Sequence, residues 1–312
     1  MFSRKLRDLS QRTVARRRGW ALIAAPAAVA TGLALAPAAH AATTAAAQAT
    51  ARAEAGGTPA ALPVLKLTMN GTSITVGGTH QSGAVRVVST VTDKAEAANG
   101  AEPTLARLDN GISYAQFFQV FAKLSANPNS DPNNLYGVAQ IVYSTQANLG
   151  TSSGMVDLAP GNYVAVDLGT SGKPPFTTFT VSPSAHPAAL PSPGGTISSR
   201  EFGFTGVTQI SDGEIVRWAN VGFLVHMIIG IEAPNLATAQ KISANLKAGK
   251  DNAAQGLATG FFGWDGALSH GQSFETVITQ KPAFWVIACF MDTQDGREHT
   301  TLGMERIIHI VK

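Results

Sequence analysis

His226, Cys289, His299 and Met304 are the residues in this 312-residue chain whose types and spacing could do chemistry together. One thiolate, two imidazoles and a thioether form the donor set that suits copper, with a trigonal thiolate–imidazole base and a weak axial sulfur. Thiolate and thioether are soft and stabilise Cu(I), while imidazole and thiolate also hold Cu(II). Zinc gains nothing from a thioether and favours further Cys or His. Cys289 is the only cysteine, so an intramolecular disulfide is excluded. Its bland reading is a small buried hydrophobe in a strand. Met291, two residues on, is the alternative axial donor.

The elements that must position these side chains follow from the rest of the chain. Residues 1–41 read as an export signal: a basic stretch ending in Arg16–Arg18, an apolar run from Trp20 to Pro37, and the small-residue site Ala39-His40-Ala41. The arginines followed by Gly19-Trp20 leave both a twin-arginine and a general secretory route open. Without this leader the chain has 16 basic and 19 acidic residues, a net charge near −3. The basic pI therefore belongs to the leader and gives no support for nucleic acid as a partner. After cleavage, no segment is apolar enough for stable membrane insertion. The expected localisation is extracellular or on the outer side of the cell-envelope membrane.

Residues 42–61 are Ala-rich and expected to be disordered. The Pro-rich segment 182–195 reads as a linker between segments 62–181 and 196–312. Both segments consist of short β-branched and aromatic runs bounded by Gly, Pro, Asn and Asp, the pattern of β-sandwiches. Each carries one helical excursion, and the two repeat the same order of runs, which implies an internal duplication of about 120 residues. In the second, Leu236, Ala239, Ile242 and Leu246 share a helical face, with Asn235 as cap and Gly249 as terminator.

The stretch "HTTLGMERIIHIV" resembles the C-terminal loop and last strand of the cupredoxins, the plastocyanin-like and azurin-like blue copper proteins. His299 and Met304 have the plastocyanin-like spacing, with Gly303 before the Met. "GEIVRWANVG", followed by His226, resembles the strand and loop that deliver that family's first His. The resemblance implies two tandem cupredoxin-like Greek-key β-sandwich domains. It makes His226, Cys289 and His299 equatorial ligands of one copper and Met304 the axial one. Two departures stand out. Nine residues separate Cys289 from His299, where the family has two to four, and Met227 replaces an Asn that often follows the first His.

Aligning the halves places Asp167 opposite Cys289, Pro175 opposite His299 and Ala95 near His226, so the first domain is expected to be metal-free. The functional expectation is an exported type 1 copper protein passing single electrons to a redox partner, not an enzyme. Copper capture or delivery, or an interaction module with a vestigial site, are the competing roles. A copper oxidase would need further histidines, including one beside the Cys, and Ala288 and Phe290 flank Cys289.

Overall fold

The computed structural model describes residues 61–126, 132–147, 150–170 and 173–312. The expected export signal, 1–41, and all but the last residue of the lead-in, 42–61, lie outside these. The first unit runs β1 (Val64–Met69), β2 (Ile74–Gly78), β3 (Gly83–Val91), α1 (Lys94–Asn99), β4 (Pro103–Leu108) and α2 (Tyr114–Ala126). It continues with β5 (Ala139–Ser144), β6 (Thr151–Leu158), β7 (Gly161–Asp167) and β8 (Phe176–Val181). One sheet has the order β2-β1-β3-β6 and the other β5-β4-β7-β8. In β1, Leu65, Leu67 and Met69 face the core while Lys66 and Thr68 face water, the alternation that a half-buried strand requires.

The second unit begins with β9 (Gly195–Arg200), β10 (Gly203–Gly206), β11 (Gln209–Ser211), β12 (Ile215–Asn220), β13 (His226–Ala233), α3 (Leu236–Lys247) and α4 (Asp251–Leu257). It ends with β14 (Gly260–Leu268), β15 (Ser273–Val277), β16 (Ala283–Ala288) and β17 (Glu305–Val311). Its sheets, β10-β9-β12-β15 and β11-β17-β16-β13-β14, repeat the order of the first unit, with β11 added at one edge. Even the one parallel pair recurs, β1 with β3 and β9 with β12. The duplication is therefore present strand by strand.

Every residue of β13 is buried. One face lies in the sandwich and the other beneath α3, which explains the unbroken apolar run from Met227 to Ile231. Ala239, Ile242 and Leu246 supply the covering stripe, while Leu236 at the helix start is exposed. Asn235 caps α3, its side chain accepting from the Thr238 N–H at 2.9 Å. Among the described residues each unit carries two α-helices rather than one excursion. In the first unit the extra helix is α1, started by Asp93, whose side chain accepts from Glu96 N–H at 2.8 Å.

The units are fused. β6 and β15, equivalent strands, pair antiparallel at Val156–Phe274 and Met155–Glu275, making one eight-stranded sheet. β5 and β14 meet at the other sheet edges, where Ser269 N–H donates to Ile141 O at 3.0 Å. The Pro-rich connection lies against β3, Ala84 N–H donating to Ala188 O at 2.8 Å.

Candidate metal centre

The strand ladder dictates where the four residues go. β13 and β16 are neighbours with Ile229 opposite Ala288, so the start of one strand and the end of the other share one end of the sheet. β16 and β17 pair Ala288 with Glu305, which brings Met304 back beside Cys289. Cys289 N–H donates to Met304 O at 3.2 Å, and Met304 N–H donates to His299 O at 2.9 Å. His299 opens a one-turn 3-10 helix, His299–Leu302, ended by Gly303 at φ 97°. That left-handed backbone suits glycine.

The nine-residue spacer between Cys289 and His299 folds on itself. Asp292 and Glu298 form a β-bridge, Thr293 N–H donates to Arg297 O at 2.8 Å, and Gly296 turns the chain at φ 81°. The insertion is thus a side hairpin pinched at its base. His299 N–H donates to Met291 O at 2.8 Å, so the path between the two donors stays short.

Cys289 Sγ lies 3.8 Å from His226 Nδ1 and 3.4 Å from His299 Nδ1. The three donor atoms lie within 4.8 Å of one another, and the imidazole centroids are 5.1 Å apart at 60°. All three side chains, and Met304, are 0% exposed. Metal bonds of about 2.3 Å to sulfur and 2.0 Å to nitrogen, at trigonal to tetrahedral angles, demand S···N separations of about 3.5–3.7 Å. The pocket already has those separations to within a few tenths of an ångström, so the residues fit a metal ion.

Burial sets the charge state. It pushes the Cys289 thiol up to about 12, against the opposing backbone N–H groups of Met227 and Met291. Burial first, and then the adjacent His299, push His226 down to about 3. Its ring is therefore a neutral donor, and His226 Nε2 is buried without a hydrogen-bond partner. Such a pocket favours a thiolate only when a cation neutralises it.

The second unit's two other histidines lie outside this cluster. His270 is exposed, stacked on Phe223 at 5.4 Å, with Nδ1 2.6 Å from Gly222 O. His309 stacks on Phe284 at 4.2 Å on the sheet face. Met291 is buried and meets the site through its backbone.

The internal comparison shifts by register. Asp167 does stand opposite Cys289, since Thr104–Val166 corresponds to Ile229–Ala288. Counting back, the partner of His226 is Ala101, not Ala95, because α1 inserts residues that the second unit lacks. Asp167 N–H donates to Pro175 O at 3.0 Å as Cys289 N–H does to Met304 O, so Pro175 matches Met304 rather than His299. Asp167 Oδ1 accepts from Glu102 and Gly169 N–H, both at 2.8 Å, the two amides equivalent to those of Met227 and Met291. The first unit keeps the acceptor and loses the ligands. Both units share one strand order, and the metal-ligating cluster lies in the second.

Other residues hold this centre without a sequence signal. Asn220 Nδ2 donates to Leu224 O at 2.7 Å and Leu268 O at 2.8 Å, pinning the loop before His226. From the first unit, Asn133 Oδ1 accepts from Val225 N–H at 2.8 Å.

No family model and no curated protein matches the chain in sequence. Among solved structures, reduced auracyanin from Roseiflexus castenholzii is similar at 15% identity and TM-score 0.24, over 38% of this chain and 95% of its own. A multicopper oxidase aligns over 80% of this chain and 88% of its own, at 11% identity and TM-score 0.21. Copper nitrite reductase from Nitrosomonas europaea covers 80% and 93%, at 11% identity and TM-score 0.23.

Proposed function

We propose that the second unit binds one copper ion and that the protein is an exported single-electron carrier. The observation that carries this reading is the convergence of two Nδ1 atoms on one buried sulfur, at 3.8 and 3.4 Å, from a rigid strand ladder. His226, His299, the Cys289 thiolate and the Met304 thioether would hold the ion. Copper supplies the Cu(I)/Cu(II) couple there, and soft sulfur with borderline nitrogen accommodates both states.

The protein's own part is to keep that geometry fixed. β13, β16 and β17 are tied by ladder hydrogen bonds on both sides of the site, and Met227 N–H donates to Cys289 Sγ at 3.4 Å. Little then rearranges when the charge changes. Every donor side chain is 0% exposed, a burial that suits an electron carrier. Phe223 at 78% and Val221 at 49% exposure, on the loop leading to His226, would give a redox partner a small apolar docking patch. The first unit braces that loop through Asn133. The leader would place this work outside the cytoplasm, and among the described residues no helix is long and apolar enough to cross a membrane.

The test is titration of the purified protein with Cu(II), followed by visible absorption and electron paramagnetic resonance. An intense thiolate-to-Cu(II) band at one copper per chain, lost in Cys289→Ser, is expected. A fully loaded but colourless wild type refutes the carrier reading.

A further inference from the structure

Phe202 is the single non-glycine residue with positive φ among the described residues, at 58°. A bulky aromatic in that region is strained, and such strain persists only where surrounding contacts over-determine it. The turn that holds it, between β9 and β10, is fixed from three directions.

The Phe202 ring meets His299 edge to face, with centroids 5.2 Å apart at 78°. Glu201, beside it, accepts through Oε1 from the backbone N–H of Phe223 and, at 3.3 Å, from that of Leu224, both on the loop that delivers His226. This loop and the turn are close enough that a Cβ on Gly222 would lie 2.8 Å from Arg200 Cα and 2.6 Å from Glu201 Oε1. From β17, Arg306 Nη2 donates to Gly206 O at 2.8 Å and Nη1 to Phe204 O at 3.4 Å, anchoring β10 behind the turn. Adjacent residues of one tight turn therefore address both histidines, which lie 73 positions apart in sequence.

We infer that the Arg200–Gly203 turn is a clasp over the metal centre. Phe202 is a positioning residue that shields the His299 ring from water and small anions. Glu201 sets the loop from which His226 enters. This rests on the copper reading above, but its geometry belongs to the metal-free protein too. A site closed in this way admits electrons and excludes ligands, which a carrier needs.

The test uses Phe202→Gly, because glycine adopts φ 58° freely and the variant retains the fold. In the copper-loaded protein, azide is expected to alter the Cu(II) spectrum of Phe202→Gly and leave wild type unchanged. Copper loss to a chelator is expected to accelerate at least tenfold. In the metal-free protein, modification of His299 by diethyl pyrocarbonate is expected to accelerate at least fivefold. In Glu201→Ala, amide exchange at Phe223 and Leu224 is expected to rise while that of the β16 amides does not. An unchanged His299 modification rate, or azide silence with copper loss within twofold of wild type, overturns the clasp. A wild type that takes up no copper instead overturns the copper reading, and the modification and exchange results still decide the clasp.

Discussion

Glu96 gives the sharpest prediction, because it faces Asp167, the first unit's counterpart of Cys289. Its buried carboxyl faces that of Asp167, and its pKa is pushed up to about 8, first by burial and then by Asp167. In the unfolded chain it titrates near 4.5. The native state therefore holds a proton that the unfolded state has released. That contribution to stability is full below pH 4.5, erodes as pH rises, and is gone above about 8. One proton gives a slope of about 1.4 kcal/mol per pH unit at most. α1 lies at the surface, with Lys94 and Ala95 exposed, so screening reduces the integrated loss to about 1–3 kcal/mol. In Glu96→Gln, the carboxamide offers Asp167 an N–H donor and has no titrating proton to lose. Urea unfolding followed by circular dichroism at pH 5, 6, 7 and 8 measures the difference, since the first unit has no tryptophan to report by fluorescence. Wild type is expected to lose about 1–3 kcal/mol more than the variant over that range. Parallel pH dependences in the two proteins refute the shared proton.

Three more predictions concern the second unit. With the Cys289 thiol near 12 and His226 near 3, metal uptake at pH 7–9 releases the thiol proton and none from His226. Calorimetry in buffers of different ionisation enthalpy is expected to show that one proton, with apparent affinity rising about tenfold per pH unit. Gly230→Ala is expected to destabilise the fold by about 1–3 kcal/mol in denaturant titrations, because the new methyl would lie 2.2 Å from the Trp264 ring. Asn220→Ala leaves the carbonyls of Leu224 and Leu268 without their donor; hydrogen exchange of the 221–225 loop is expected to rise, with a stability loss of about 1–3 kcal/mol.

The motif around Cys289, His299 and Met304 was legible because it is local: the ladder between β16 and β17 returns the chain to one rung, whatever the spacer does. The duplication was legible because each strand brings its own alternation. Correspondences that depend on insertions were not. Six residues of α1, started by an ordinary Asp cap, moved the counterpart of His226 from Ala95 to Ala101. Phe202 gave no signal because backbone strain is a property of its contacts, not of its residue type. The union of β6 with β15 was equally silent, since a strand that pairs across units alternates like any other.

That union has a consequence for any attempt to divide the protein. β6 and β15 are the same strand of the repeat, meeting antiparallel, so each offers the other a self-complementary border. A severed half would display a row of unclaimed amides and carbonyls, the template on which sheets aggregate. Two copies of one half would satisfy it by pairing through that border, recreating between chains the junction that one chain holds within itself.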